Sequence, residues 1–259
     1  MQNRKGLQSL AAVMSVFMVV LFSFSSCQDE SEKVSPKAVE STDELVSFLV
    51  KSGFNKEDIE LKDETYIIGG DILIDKSEVE KHVDNGTSLE HLPTTEHYRG
   101  SYLVKSRYVS NISFYIDSSV PSSWVTAIQG AVNQWNSVNG TSLYLSIASN
   151  KSNATTTITT GFSKENWVAR AYLPSYNGRP GYNMEINTNY NSLNDDYKLF
   201  TIVHEMGHIF GLYHTDQTQG SFIEGTPSND PNSVMNSYIL PWNGFTKGDI
   251  TAVQIIYPD

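Results

Sequence analysis

The chain has 259 residues, 39% of them hydrophobic, with 29 acidic against 18 basic side chains and a formal charge of −11 at pH 7. An acidic balance of this size argues against a nucleic-acid partner, because phosphate binding needs a basic surface. A single cysteine rules out an intramolecular disulfide, so the fold must rest on its core and on any metal it binds.

Residues 1–26 read as an export signal. Arg4 and Lys5 give a basic start, Leu10 to Phe24 is apolar, and Phe24-Ser25-Ser26 places small residues before Cys27. This stretch resembles a bacterial lipobox, which implies cleavage before Cys27 and a lipid on its thiol. Gln28-Asp29-Glu30 resembles the acidic tether that sends Bacteroidetes lipoproteins to the cell surface. The expectation is an extracytoplasmic outer-membrane or cell-surface lipoprotein of a Gram-negative bacterium, a monomer held to the membrane by a lipid anchor at Cys27. An ordinary secretory signal or a single membrane anchor is the alternative.

Residues 27–100 form an acidic segment: Gln28 to Gly100 holds 18 acidic and 8 basic residues. Leu45, Phe48 and Leu49 fit one helical face, and Tyr66 to Ile74 reads as a strand, a Gly69-Gly70 bend and a second strand. Gly86 to Tyr98 reads as a linker. The segment is a removable pro-segment or a spacer. If it is inhibitory it must act without a thiol, through a carboxylate or through His82, His91 or His97, and carboxylates are the abundant choice. Cuts after Arg99, Lys105 or Arg107 would release it.

Residues 101–259 are long enough for one α/β (α+β) domain. Ile112 to Asp117 alternates as a strand. A helix follows from a cap at Ser122 to about Val138, burying Trp124, Ile128, Val132 and Trp135. Leu143 to Ala148, Thr155 to Gly161, Ala169 to Leu173 and Tyr182 to Asn187 read as further strands, and Asp195 to Leu212 as a second long helix. Asn189, Asn191, Asn194, Asp195 and Asp196 cluster before that helix, as a structural calcium site or as a turn and helix cap. Thr246-x-x-Asp249 opens a last helix with a capping box.

The second helix carries His204-Glu205-Met206-Gly207-His208, followed by Gly211 and His214. Histidines four apart share a helix face, so His204 and His208 can reach one zinc ion. Glu205 is placed to take a proton from water in an open coordination position. Gly211 can leave the helix with positive φ and bring His214 back as a third ligand. The competing reading is a buried amphipathic helix whose histidines are only hydrogen-bonded. From Ser101 onward the chain has no other histidine, which disfavours it.

These residues resemble the metzincin metallopeptidases, whose signature is HExxHxxGxxH with a methionine-containing turn under the metal. Within that group they are most like the bacterial HEIGH metallopeptidases, with matrixins next. The resemblance implies a metzincin-like domain with a twisted mixed sheet, a zinc-binding helix and a C-terminal helix, and makes Met235, 21 residues after His214, the Met-turn residue. It also implies an endopeptidase acting on a protein or peptide laid along an edge strand, Ala169 to Leu173. Tyr238 to Trp242 would line the pocket for a large apolar residue after the scissile bond. Tyr238 stands three after Met235, one too far for the transition-state tyrosine of astacins and serralysins. Asp216 either holds the ligand loop, contacts the imidazole or is solvated. A binding lipoprotein with a non-catalytic zinc site and a non-proteolytic zinc amide hydrolase are the other classes.

Overall fold

In this computed structural model the described residues are 37–86, 98–100, 103–217 and 220–259, with side chains from 43 onward. Residues 1–36, and with them Cys27, fall outside that range, as do His91 and His97. Lys37–Asp259 form one compact unit.

The N-terminal segment comprises α1 (Lys37–Lys51), β1 (Ile59–Lys62), β2 (Thr65–Ile68), β3 (Ile72–Asp75) and α2 (Lys76–Asp84). Leu45, Phe48 and Leu49 of α1 are buried as their spacing requires. β2 and β3 flank the Gly69-Gly70 bend, both glycines at positive φ. β1 and α2 were not legible. Three of the four β1 side chains are exposed, and Val79 is the only buried hydrophobic residue of α2, so neither carries a full period of apolar residues.

After this come β4 (Tyr98–Arg99), α3 (Ser106–Val109), β5 (Ile112–Ile116), α4 (Ser122–Asn136), β6 (Leu145–Ile147), β7 (Thr156–Gly161), β8 (Ala169–Tyr172), β9 (Asn183–Asn187), α5 (Asp195–Ile209), β10 (Ser221–Phe222) and α6 (Lys247–Ile256). Trp124, Ile128, Val132 and Trp135 of α4 are all buried, and the Trp135 indole donates to Val203 O of α5 at 3.1 Å. Ser122 is the first helical residue rather than the cap, which is Pro121. The capping box at α6 is complete, with Thr246 and Asp249 satisfying each other's backbone N–H.

The main sheet has eight strands in the order β1-β2-β3-β8-β9-β7-β5-β6. β6, β5, β7 and β9 run parallel to their neighbours, whereas β8 pairs antiparallel with β9. The expected edge strand is therefore not an edge in the full chain: β3 pairs in parallel with β8, Ile72 opposite Ala171 and Leu73 opposite Tyr172. β4 and β10 form a separate ribbon, so Tyr98 and Arg99 belong to structure rather than to a linker.

Candidate active site

α5 is amphipathic only at its start. From Phe200 to Ile209 every residue is buried, the two histidines of the motif included. Their rings lie 4.6 Å apart, centroid to centroid, as a four-residue separation dictates. The helix ends at Ile209, earlier than its apolar run, in a Schellman motif: Gly211 N–H donates to His208 O at 3.0 Å and Leu212 N–H to Gly207 O at 2.9 Å. Gly211 has φ 102°, which only glycine takes at little cost. The reversal returns His214 to within 5.3 Å of the His204 ring and 5.0 Å of the His208 ring.

Each outer ring nitrogen is occupied. His204 Nδ1 donates to Val234 O at 2.7 Å and His208 Nδ1 to Leu212 O at 2.8 Å, while His214 Nδ1 stands 3.4 Å from Gln217 Oε1. A carbonyl only accepts, so His204 and His208 carry their protons on Nδ1 and turn bare Nε2 lone pairs inward. His208 Nε2 has no hydrogen-bond partner among the described residues, and neither has Glu205 Oε2. Buried polar atoms without partners are costly unless something else engages them, and His208 Nε2 lies in a cluster that can hold a metal ion.

Val234 and Met235 lie in a tight turn beneath this cluster. Met235 is 1% exposed, its carbonyl accepts from Thr215 N–H at 2.9 Å, and a Cβ at Gly207 would lie 2.4 Å from its sulfur. The glycine between the two helical histidines is thus the space into which the methionine fits. A family model described as dual-action HEIGH metallopeptidase matches residues 66–222, more than half of the chain. The chain belongs to this family. It is a HEIGH metallopeptidase, and its histidine cluster can hold a metal ion. Solved structures similar to it include high choriolytic enzyme 1, a hatching-enzyme zinc protease from the medaka fish Oryzias latipes, at 19% identity, covering 60% of this chain and 93% of that one with a TM-score of 0.39. Myroilysin is another, at 12% identity, 66% and 100% coverage and a TM-score of 0.41. The curated proteins contain no match.

The HEIGH metallopeptidase site has a fourth member that its motif does not announce. Asp71, just past the Gly69-Gly70 bend, joins His204, His208 and His214 in a set whose ligand atoms all lie within 4.8 Å of one another. Its Oδ2 stands 3.1 Å from His214 Nε2 and 3.6 Å from His204 Nε2. Ligands at 2.0–2.1 Å from a tetrahedral zinc stand roughly 3.3–3.4 Å apart, so these contacts bracket what the metal requires. A carboxylate among three imidazoles is a donor set that suits a divalent cation.

Electrostatics follow from burial. Burial opposes charge on Asp71, but His214, beside it and hydrogen-bonded to it at 3.1 Å, outweighs burial and holds the carboxyl well below its ordinary range. Burial, then the Asp71 charge, pushes Glu205 well above the usual carboxylate value. Burial and the neighbouring imidazoles hold His208 far below the usual histidine value. A cavity of about 440 Å³ opens onto His204, Glu205 and Asp71, with Leu193, Tyr197, Phe200 and Ile239 on its wall.

Other expected residues resolve as follows. Asp216 accepts from Ser237 N–H at 2.9 Å and Ser237 Oγ at 2.6 Å, so it ties the ligand loop to the chain beyond Met235. Tyr238 lines the cavity but its hydroxyl donates to Pro231 O at 3.0 Å. Asn191 accepts from the Trp124 indole at 2.8 Å, and Asp195 and Asp196 occupy the first turn of α5, where they offset the helix's positive end. His82 sits in α2 against Phe48 and Tyr176, away from the cluster. Asp249 was read only as half of a cap, yet it also accepts from Ser233 Oγ at 2.6 Å and Val234 N–H at 3.2 Å and so fixes the turn that orients His204.

Proposed function

We propose that this chain is a zinc-dependent endopeptidase that hydrolyses internal peptide bonds of proteins outside the cytoplasm, with one zinc on His204, His208 and His214. The observation that carries this reading is the convergence of three buried imidazoles on one point, next in sequence to Glu205, whose buried Oε2 has no hydrogen-bond partner among the described residues, beside a largely apolar cavity. When bound, zinc supplies Lewis acidity at the scissile carbonyl and acidifies the attacking water. Glu205 takes the water's proton and passes it to the leaving amine; its raised affinity for protons suits a base that must become an acid within the same cycle.

The chain's own groups set the remaining steps. β8 offers main-chain donors and acceptors to an extended substrate on the side that β3 now holds. Leu193, Tyr197, Phe200 and Ile239 give the cavity an apolar wall suited to a large apolar side chain after the scissile bond. In this reading the lipobox-like run ending at Cys27 supports a lipid anchor that would hold the enzyme at the outer membrane or cell surface.

The test uses the purified chain lacking residues 2–26, incubated with casein for long enough that any processing of the N-terminal segment is complete. About one zinc per chain and cleavage abolished by o-phenanthroline are expected. Glu205→Ala keeps the zinc and loses on the order of 10²–10⁴ in rate, the usual effect of losing an acid–base group. Equal rates for the variant and the parent would overturn the mechanism.

A further inference from the structure

A second cavity, of about 310 Å³, opens at the C-terminal end of β8 and shares no lining residue with the one at the histidines. One wall is the end of β3 and the start of α2, with Asp75 and Glu78. The other is the loop from β8 to β9, with Tyr172 and Tyr182 at its two ends.

The chain holds this loop in one shape. Pro174 and Pro180 fix their own φ, and Gly178 turns at φ 73°. Ser175 N–H donates to Arg179 O at 3.0 Å and Gly178 N–H to Ser175 O at 2.8 Å. Neighbouring elements tie it down: Tyr176 N–H donates to Glu78 Oε2 at 2.8 Å, Lys105 N–H to Gly178 O at 3.0 Å and Arg107 Nη2 to Asn177 O at 3.3 Å. A ligand entering between these walls meets a formed site and loses little affinity to ordering the protein.

The charged groups at this cavity are already engaged. Glu78 Oε2 takes Tyr176 N–H, and Oε1 takes Lys81 Nζ. The Arg179 guanidinium lies over the Tyr108 ring, 5.7 Å from its centroid. Asp75 Oδ1 accepts from the Tyr182 hydroxyl at 3.2 Å, while Oδ2 accepts from no described residue. What stays open is an aromatic face and neutral polar groups. The Tyr172 and Tyr182 rings stack with centroids 4.2 Å apart and planes 32° apart, and Tyr182 is still 50% exposed, so Tyr172 covers one face of that ring and leaves the other bare. Ser175 and Asn177 add a hydroxyl and an amide to the rim.

A bare tyrosine face beside one accepting oxygen suits neither a highly charged ligand nor an aliphatic chain. It suits a pyranose, whose C–H bonds make an apolar face for the ring and whose hydroxyls donate to a carboxylate and accept from hydroxyl and amide. The volume lies at the lower end of the roughly 300–1,000 Å³ of small-molecule sites, room for a single sugar unit.

We infer that this cavity is a carbohydrate site for a neutral pyranose, free or carried on a glycoprotein, with Tyr182 as the stacking platform and Asp75 as the hydroxyl acceptor. The site is separate from the histidine cluster and stands whether or not the chain is a peptidase. Asp75 belongs to the N-terminal segment and Tyr182 to the domain that follows, so the site exists in the whole chain, and a bound sugar holds the two parts together.

The test uses the whole chain from Cys27 carrying Glu205→Ala, which keeps it intact, with folding checked by circular dichroism. Saturation-transfer NMR is run with methyl β-glucoside, methyl β-galactoside, methyl α-mannoside and N-acetylglucosamine. Saturable binding of at least one is expected, in the millimolar range that few contacts allow, with transfer strongest to one C–H face of the ring. Tyr182→Ala weakens it at least tenfold and Asp75→Ala at least threefold. Tyr182→Phe, which keeps the ring, binds within about twofold of the parent, as does Tyr144→Ala, at an exposed tyrosine beside the edge strand β6. The same sugar raises the melting temperature of the parent and not that of Tyr182→Ala. A glycoprotein retained on the immobilised chain, and released by enzymatic deglycosylation, identifies protein-borne sugar as the source; free sugar bound without such retention identifies the free form. No saturable transfer from any of these sugars, or transfer that Tyr182→Ala and Asp75→Ala leave unchanged, would overturn the proposal. Binding of trilysine in place of the sugars would make this a cation site and overturn it as well.

Discussion

Asp249 offers a test of how the site is held from outside. It is 1% exposed and accepts hydrogen bonds from Ser233 Oγ at 2.6 Å, Thr246 N–H at 2.9 Å and Val234 N–H at 3.2 Å. Val234 in turn lends its carbonyl to His204 Nδ1 at 2.7 Å, so Asp249 acts on a candidate ligand through one residue. Asp249→Ala leaves the buried Ser233 and Val234 donors without this acceptor, at about 1–3 kcal/mol each. It also removes a helix cap worth about 1 kcal/mol. After partial relaxation the loss is about 3–5 kcal/mol, and at roughly 2–4 °C per kcal/mol for a domain of this size the melting temperature falls by roughly 6–20 °C. Zinc affinity falls about 10–100-fold, as for other residues that orient metal-binding histidines.

The conservative variant separates relay from bulk stability. In Asp249→Asn the amide oxygen accepts from Val234 and Thr246, as Oδ2 does now, while the amide nitrogen faces Ser233 Oγ and cannot accept its proton. Its cost should be about 1–3 kcal/mol, the loss of the one Ser233 acceptor, with zinc affinity close to the parent's because the Val234 contact is kept. Thermal melting and competition with a chromophoric chelator measure both quantities. An Asp249→Ala chain that melts lower yet holds zinc as tightly as the parent would refute the relay and leave only a helix cap.

Two further outcomes are expected. Gly207→Ala gains about 1 kcal/mol of helix propensity. It also drives a Cβ to 2.4 Å from the buried Met235 sulfur, and overpacking of about 1–3 kcal/mol wins, so the variant melts lower and binds zinc more weakly; a more stable variant with parental zinc affinity would show that the methionine moves aside freely. His82 is buried between Phe48 and Tyr176, and burial pushes its pKa from 6.5 down to about 4, with Glu78 opposing and Lys81 adding. A depressed histidine contributes stability that is whole above pH 6.5 and lost as the pH falls toward about 4, so the parent's melting temperature should drop more steeply over that window than that of His82→Gln; parallel curves would show that His82 does not titrate there.

The residues of the candidate site that the sequence made legible are those whose relations are local. His204 and His208 are related by one helical turn, and His214 by a glycine reversal, all within 11 residues. The strands β5, β7 and β9 and the stripe on α4 announce themselves by period, because each has one face toward the same core. Met235 became legible only through the family pattern, since nothing in Ser233-Val234-Met235 says that Gly207 has cleared a space for it. Asp71 and the second role of Asp249 were hidden because their meaning depends on pairing across the fold. An aspartate after Gly-Gly looks like any turn until β3 is laid beside β8, and no periodicity records a partner on another part of the chain.

The apolar core of the described residues is divided into two clusters that share the site between them. The larger apolar cluster, around Trp124, Trp135, Phe114 and Met206, begins at Val104 and takes no buried residue from the N-terminal segment. The smaller one is built mainly from that segment and borrows Tyr98, Leu173 and Tyr213 from the rest. His204, His208 and Glu205 are carried by α5, which belongs to the larger cluster, whereas Asp71 is carried by elements of the smaller. Tyr213, the neighbour of His214, packs in the smaller cluster against Phe54, so the loop of the third histidine leans on the N-terminal segment and the helical pair does not. His204, His208 and Glu205 are thus set where displacement would mean unfolding the sheet and its helices together, whereas His214 depends on contacts made by both clusters.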